Sequence, residues 1–152
     1  MKILIVGPSG AGKTTLVNYL SRKEEKARKT QALDFIGNYI DTPGEYSEIP
    51  RFYQNLFVSA QQANLVLLVI PANSVREQIP QGWAQALLRP TIGVISKIDI
   101  EGSDTKRVSR LLSHIGVKLP HYPISVLTGE GLKELELVID KLLFEFSKGG
   151  DS

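Results

Sequence analysis

Three stretches of this chain are apolar without interruption by charge: Ile3-Leu4-Ile5-Val6, Leu65-Val66-Leu67-Leu68-Val69-Ile70 and Ile92-Gly93-Val94-Ile95. None alternates polar with apolar residues, so none can keep one face in water. That is the pattern of strands covered on both faces, as in a parallel sheet. Between them the spacing becomes helical. Phe52, Leu56 and Ala60 recur at every fourth position, with Tyr53 and Phe57 beside them, and Pro50 suits a first helical turn. Val108, Leu111, Leu112 and Ile115 fall at i, i+3, i+4 and i+7, and Leu132, Leu135, Ile139, Leu142, Leu143 and Phe146 continue one apolar stripe for about four turns. A shorter helix is expected from Gln81 to Leu88 with Trp83 and Leu87 inward, and short strands at Asn38 to Ile40 and Pro123 to Ser125. Strands alternating with helices predict an α/β domain, a doubly wound, mostly parallel sheet with helices on both faces.

Composition narrows this picture. With 152 residues, 42% hydrophobic and 22% charged, the chain reads as one soluble domain, 1–147, followed by a frayed tail, 148–152. A net charge of +2 is too small to point to nucleic acid. The absence of cysteine excludes disulfides and thiolate metal sites and fits a reducing, cytoplasmic setting. No apolar run approaches the roughly 20 residues of a membrane span. Gly7, Gly10, Gly12 and Lys13 interrupt the apolar N-terminus, against a signal peptide. The charged run Arg22 to Lys29 reads as a solvated helix end and loop.

Gly7-Pro8-Ser9-Gly10-Ala11-Gly12-Lys13-Thr14 matches G-x-x-x-x-G-K-[ST] in full. Successive backbone N–H groups must turn toward a phosphate, and glycines permit that path. Lys13 brings a point charge to the β and γ phosphates, and the Thr14 hydroxyl is a Mg²⁺ ligand. Thr15, Leu16, Val17 and Leu20 then open a helix whose N-terminus faces the anion. The expected ligand is a nucleoside triphosphate with Mg²⁺.

Three further segments fit a nucleotide site. Ile40-Asp41-Thr42-Pro43-Gly44 ends a strand; Asp41 is expected to hold Mg²⁺, and the Gly44 N–H to meet the γ-phosphate. Ser96-Lys97-Ile98-Asp99 follows the third apolar run. Guanine offers N1–H and an exocyclic amine on one edge, which a carboxylate accepts, whereas the N1 of adenine is an acceptor that a carboxylate repels. Asp99 is therefore expected to select guanine, with the Lys97 stem along the base face. Ser125-Val126 would brace that loop through backbone N–H groups. Thr30, 17 positions after Lys13, is expected in a segment that folds over the nucleotide and adds a Mg²⁺ ligand.

This order of motifs resembles that of Ras-like GTPases and their translation-factor relatives, and more closely that of the EutP/PduV family of ethanolamine- and propanediol-utilisation proteins. The resemblance is carried by the phosphate loop with Thr15 and Leu16, by Lys29-Thr30-Gln31-Ala32, by Asp41-Thr42-Pro43-Gly44-Glu45-Tyr46 and by Ser125-Val126-Leu127-Thr128-Gly129-Glu130-Gly131. It implies a Ras-like P-loop NTPase fold, Mg²⁺ with GTP, or alternatively ATP, and partners among microcompartment shell or enzyme proteins. It implies either a slow GTPase acting as a switch or assembly factor, an ATP-dependent acetate kinase, or a non-hydrolysing scaffold.

Three departures from the Ras-like pattern stand out. About ten residues, Gln31 to Ile40, separate Thr30 from Asp41, so the second strand must be short. Glu45 replaces the glutamine that orients water, and a carboxylate beside the γ-phosphate should slow hydrolysis. Ser96 replaces an asparagine that ties loops together and reaches the purine, so guanine selection leans on Asp99. Arg51 and Arg76 are the candidates for a catalytic arginine.

Overall fold

The computed structural model of the chain describes residues 2–31, 39–74 and 79–149. Its strands are β1 (Ile3–Val6), β2 (Tyr39–Asp41), β3 (Leu65–Pro71), β4 (Thr91–Ser96) and β5 (Tyr122–Pro123). Its helices are α1 (Lys13–Gln31), α2 (Glu45–Glu48), α3 (Tyr53–Gln61), α4 (Trp83–Ala86), α5 (Thr105–Ile115) and α6 (Leu132–Gly149), with a 3₁₀ turn, Pro50–Phe52, leading into α3.

The strands form one sheet in the order β2-β1-β3-β4-β5, and every described pairing is parallel. Strand residues therefore alternate between two cores rather than between core and water. Leu4, Val6, Val66, Leu68 and Ile70 face Leu56, Ala60, Trp83, Leu87, Val108 and Leu112 of α3 to α5 and their flanks. Ile3, Ile5, Leu65, Leu67, Val69 and Val94 face Leu16, Leu20, Leu132, Leu135 and Ile139 of α1 and α6. This is the doubly wound arrangement that the uninterrupted apolar runs predict, with β2 reduced to three residues.

Local signals set the element ends. Asp104 caps α5 by accepting from the Arg107 N–H at 3.0 Å, and Gly116 ends it in the left-handed conformation. One expectation needs correction. The charged run after Arg22 continues the backbone of α1 to Gln31 instead of ending as a loop. The backbone of α6 runs through Lys148 to Gly149; residues 150–152 lie outside the described ones.

Strand order reverses on either side of β1, with β2 on one flank and β3 on the other. Ligands of open α/β sheets bind at the carboxyl ends of strands at such a point. The loop Gly7 to Gly12 leaves β1 there.

Candidate functional site

The phosphate loop is built by close approach. A Cβ on Gly7 would collide with the carbonyl oxygen of Val69, so only glycine lets the chain leave β1 pressed against β3. Gly10 and Gly12 then adopt φ of 82° and 87°. Lys13 opens α1, and its Nζ donates to the Pro8 carbonyl at 3.0 Å. Lys13 is 7% exposed. The lysine is thus buried, with its ammonium against its own loop.

The Thr14 hydroxyl donates to Asp41 Oδ2 at 2.7 Å, across from α1 to the end of β2. Both are hard oxygen donors of the kind Mg²⁺ takes, and the hydroxyl keeps a lone pair when it donates to the carboxylate. The pair therefore fits a magnesium ion. Thr42 is buried and donates to the Ile5 carbonyl at 2.7 Å, which fixes the end of β2 beside β1. Gly10, Gly12, Lys13, Thr14, Thr15, Asp41, Thr42, Pro43, Gly44 and Lys97 line a polar cavity of about 530 Å³.

A second cavity of about 310 Å³ adjoins it, sharing Gly12, Thr15 and Lys97. Its walls are largely apolar, from Ala11, Leu16, Ile100, Ile124, Val126 and Leu127, and Ser96 and Asp99 also face it. An apolar slot with one carboxylate, beside a polar chamber lined by Lys13 and the shared Lys97, has the two-part chemistry of a nucleotide. The slot is tied to the phosphate loop by two side chains that leave β4. Ser96, buried, donates to the Ala11 carbonyl at 2.6 Å, and Lys97 Nζ donates to the Gly10 carbonyl at 2.5 Å. The Lys97 stem crosses Gly12, whose Cβ, if present, would lie 3.6 Å from Lys97 Cε. Lys97 has φ of 57°, a left-handed conformation that is unfavourable for a side chain with a Cβ and is held here by these contacts. Ser96 thus keeps the loop-tying role that its short side chain put in question.

The brace from the last loop differs from expectation. The Ser125 N–H donates to the Glu130 carbonyl at 2.9 Å, inside its own loop, and its hydroxyl accepts from the Thr128 N–H at 3.1 Å. It is the Ile98 N–H that donates to the Ile124 carbonyl at 3.2 Å and so anchors the segment carrying Asp99. Val126 contributes a wall of the slot.

The backbone carries one expected position, Thr30, away from the site. Thr30 lies in the last turn of α1, not in a loop; at 1.5 Å per residue its backbone is about 25 Å along the axis from Lys13. A helical backbone there cannot fold over the nucleotide. Glu45 is the first residue of α2, and its side chain, like that of Thr30, lies outside the described ones. Arg76 also lies outside them, and Arg51 stacks on the Phe52 ring, 4.8 Å from its centroid. Sequence reasoning missed Glu48, whose Oε1 accepts from the Ser9 N–H at 2.5 Å. A lone glutamate four residues past Gly44 carries no motif that would single it out.

Comparison with known proteins is consistent with this geometry. The profile of the PduV-EutP family, described as ethanolamine utilisation and propanediol utilisation, matches residues 1–141. A Salmonella typhimurium protein named "Probable acetate kinase EutP" is 38% identical over 143 residues, which is 93% of this chain and 88% of that protein. The propanediol utilization protein PduV of Citrobacter freundii is 35% identical over 99 residues, 65% of this chain and 66% of its own. More distantly, the tRNA modification GTPase MnmE of Halorhodospira halophila is 24% identical over 89% of this chain and 33% of that protein.

Proposed function

The chain belongs to the PduV-EutP family of ethanolamine- and propanediol-utilisation proteins, and we propose that it is a Mg²⁺-dependent, guanine-selective P-loop protein that hydrolyses GTP slowly. One observation carries this reading: the apolar slot holding Asp99 opens onto the polar chamber holding Lys13, Thr14 and Asp41. The Asp99 carboxylate is exposed and has no hydrogen-bond partner among the described residues. It is thus available to accept from both donors of a guanine edge, and it repels the acceptor of adenine. Magnesium, when bound by Thr14 and Asp41, would neutralise charge on the β and γ phosphates. Lys13, whose Nζ donates to the Pro8 carbonyl, would turn to a phosphate oxygen, a charged acceptor that makes a strong hydrogen bond with an ammonium.

Slow turnover follows from the acid that succeeds Gly44 in the sequence. Glu45 stands where a Ras-like glutamine would orient water, and it can accept but not donate. Glu45→Gln is expected to raise single-turnover GTP hydrolysis severalfold. Low turnover suits a switch or an assembly factor for the enzymes or shell of a microcompartment better than a metabolic catalyst.

The name of the Salmonella relative favours a second reading, phosphotransfer between ATP and acetate. Single-turnover hydrolysis of GTP and acetate-dependent ADP formation from ATP, measured on the same samples with Mg²⁺, separate the two. GTP hydrolysis without acetate-dependent ADP formation is expected. The reverse pattern would replace this reading with the kinase one.

A further inference from the structure

Glu48 joins the phosphate loop to α2 through a backbone donor. The Ser9 N–H belongs to the same glycine-rich run of N–H groups that a P-loop turns toward phosphate. Here it donates to a carboxylate oxygen of Glu48 at 2.5 Å. A carboxylate and a phosphoryl oxygen are both anionic acceptors, so one occupant excludes the other from that donor.

The backbone closes the same spot. A Cβ on Gly44 would collide with Ser9 Oγ and Ser9 N, which leaves no room for a phosphoryl group between Gly44 and Ser9. Gly44 and Glu48 flank one hydrogen-bonded turn. The Tyr46 N–H donates to the Pro43 carbonyl at 3.1 Å, the Ser47 N–H to the Gly44 carbonyl at 3.1 Å, and the buried Ser47 hydroxyl to the same carbonyl at 3.1 Å. Meanwhile Gly12, Lys13, Thr14 and Asp41 still line an open chamber, which Ser9 does not reach. The part of the cleft beside the base slot is accessible, and its far end is closed by the protein's own acid.

We propose that Glu48 determines which phosphate chain the protein prefers, acting as an internal competitor for the γ-phosphate. A nucleoside diphosphate binds with the Glu48–Ser9 bond intact. A triphosphate must displace the carboxylate and lift Gly44 from Ser9, so its affinity is reduced by the strength of that bond and by repulsion between two anions. The inference rests on the nucleotide-binding reading above and adds to it a preference that no motif encodes.

The test compares parent, Glu48→Gln and Glu48→Ala for binding of GDP and of a non-hydrolysable GTP analogue, each with Mg²⁺. Glu48→Gln keeps size and an acceptor but removes the charge, so it remains informative if the alanine variant folds poorly. The ratio of triphosphate to diphosphate affinity is expected to rise about tenfold in Glu48→Ala and to rise in Glu48→Gln, with GDP affinity unchanged. Binding of both nucleotides with an unchanged ratio in both variants overturns this inference alone. A parent that binds neither nucleotide overturns the nucleotide reading, and this inference with it.

Discussion

The two ends of the cleft are held by opposite kinds of bond. At the base end, side chains donate to the phosphate loop: Ser96 to the Ala11 carbonyl and Lys97 to the Gly10 carbonyl. A carbonyl is an acceptor and offers a phosphate nothing to bind, so these ties do not compete with a nucleotide. At the far end, a side chain accepts from the loop: Glu48 takes the Ser9 N–H, a donor of the kind phosphates need. The first kind of tie builds a site in advance, and the second must break before the site is complete. A preformed end sets which base is bound, and an end that must open sets which phosphate chain and how slowly it reacts.

The largest effect should come from the centre, where both ends meet. Lys13→Ala is expected to weaken GDP and GTP binding by about a hundredfold, roughly 2.7 kcal/mol, as a charged hydrogen bond is lost. Because Lys13 is buried and bonded to Pro8, circular dichroism must accompany the titration to separate binding from loop damage. Affinity equal to the parent would remove Lys13 from the site.

Asp99→Asn tests the base end alone. It should shift the ratio of GTP to xanthosine triphosphate affinity by more than about tenfold, or about 1.4 kcal/mol, because xanthine presents a carbonyl where guanine has its amine. It should leave the ratio of diphosphate to triphosphate affinity alone. A change in that second ratio would mean the two ends are not independent.

Much of this organisation was legible in the sequence because it rests on hard constraints. Gly7 is required by the Val69 carbonyl, and the uninterrupted run from Leu65 to Ile70 can be satisfied only by a strand buried on both sides. The carboxylate of Asp99 could be placed because its segment follows β4 directly. Thr30 was misplaced because counting 17 positions from Lys13 presumed a loop where the backbone continues α1. Helical propensity is a weak guide in a charged segment, since Glu, Lys and Arg suit both a helix and a solvated loop. Glu48 and Thr42 could not be read, because each acts on a backbone group distant in sequence, Ser9 and Ile5 respectively. Side-chain bonds to remote backbone leave no spacing pattern. The same is true of Ser96, where a shorter side chain still reaches its carbonyl because β4 brings it close.

Ser96→Ala sharpens the claim that the base end is preformed. The substitution leaves the Ala11 carbonyl without that donor and should destabilise the protein by about 1 kcal/mol. GDP and GTP affinities should fall together, by a few-fold. A loss confined to GTP would place Ser96 with the opening end instead.

The smallest effect lies away from the cleft and serves as a control. Burial, and then repulsion from Glu136 one turn earlier on α6, raise the pKa of Asp140. An acid whose folded pKa is raised binds protons more tightly when folded, so its penalty is absent at low pH and present once pH exceeds the folded pKa. Asp140→Asn should therefore stabilise the protein at pH 7 by about 0.3 kcal/mol, the size of an i,i+4 like-charge pair, and the gain should vanish in acid. Thermal unfolding at both pH values checks this, and nucleotide binding should not move.

Competition of GTP and ATP for the intact protein, at fixed Mg²⁺ and with a labelled GDP as the displaced ligand, asks whether the apolar slot with Asp99 reads guanine beside a magnesium-dependent phosphate chamber. GTP is expected to displace the label at concentrations at least about tenfold below those of ATP, and chelation of Mg²⁺ to weaken GTP. Displacement by ATP at equal or lower concentration would show that the slot does not select guanine.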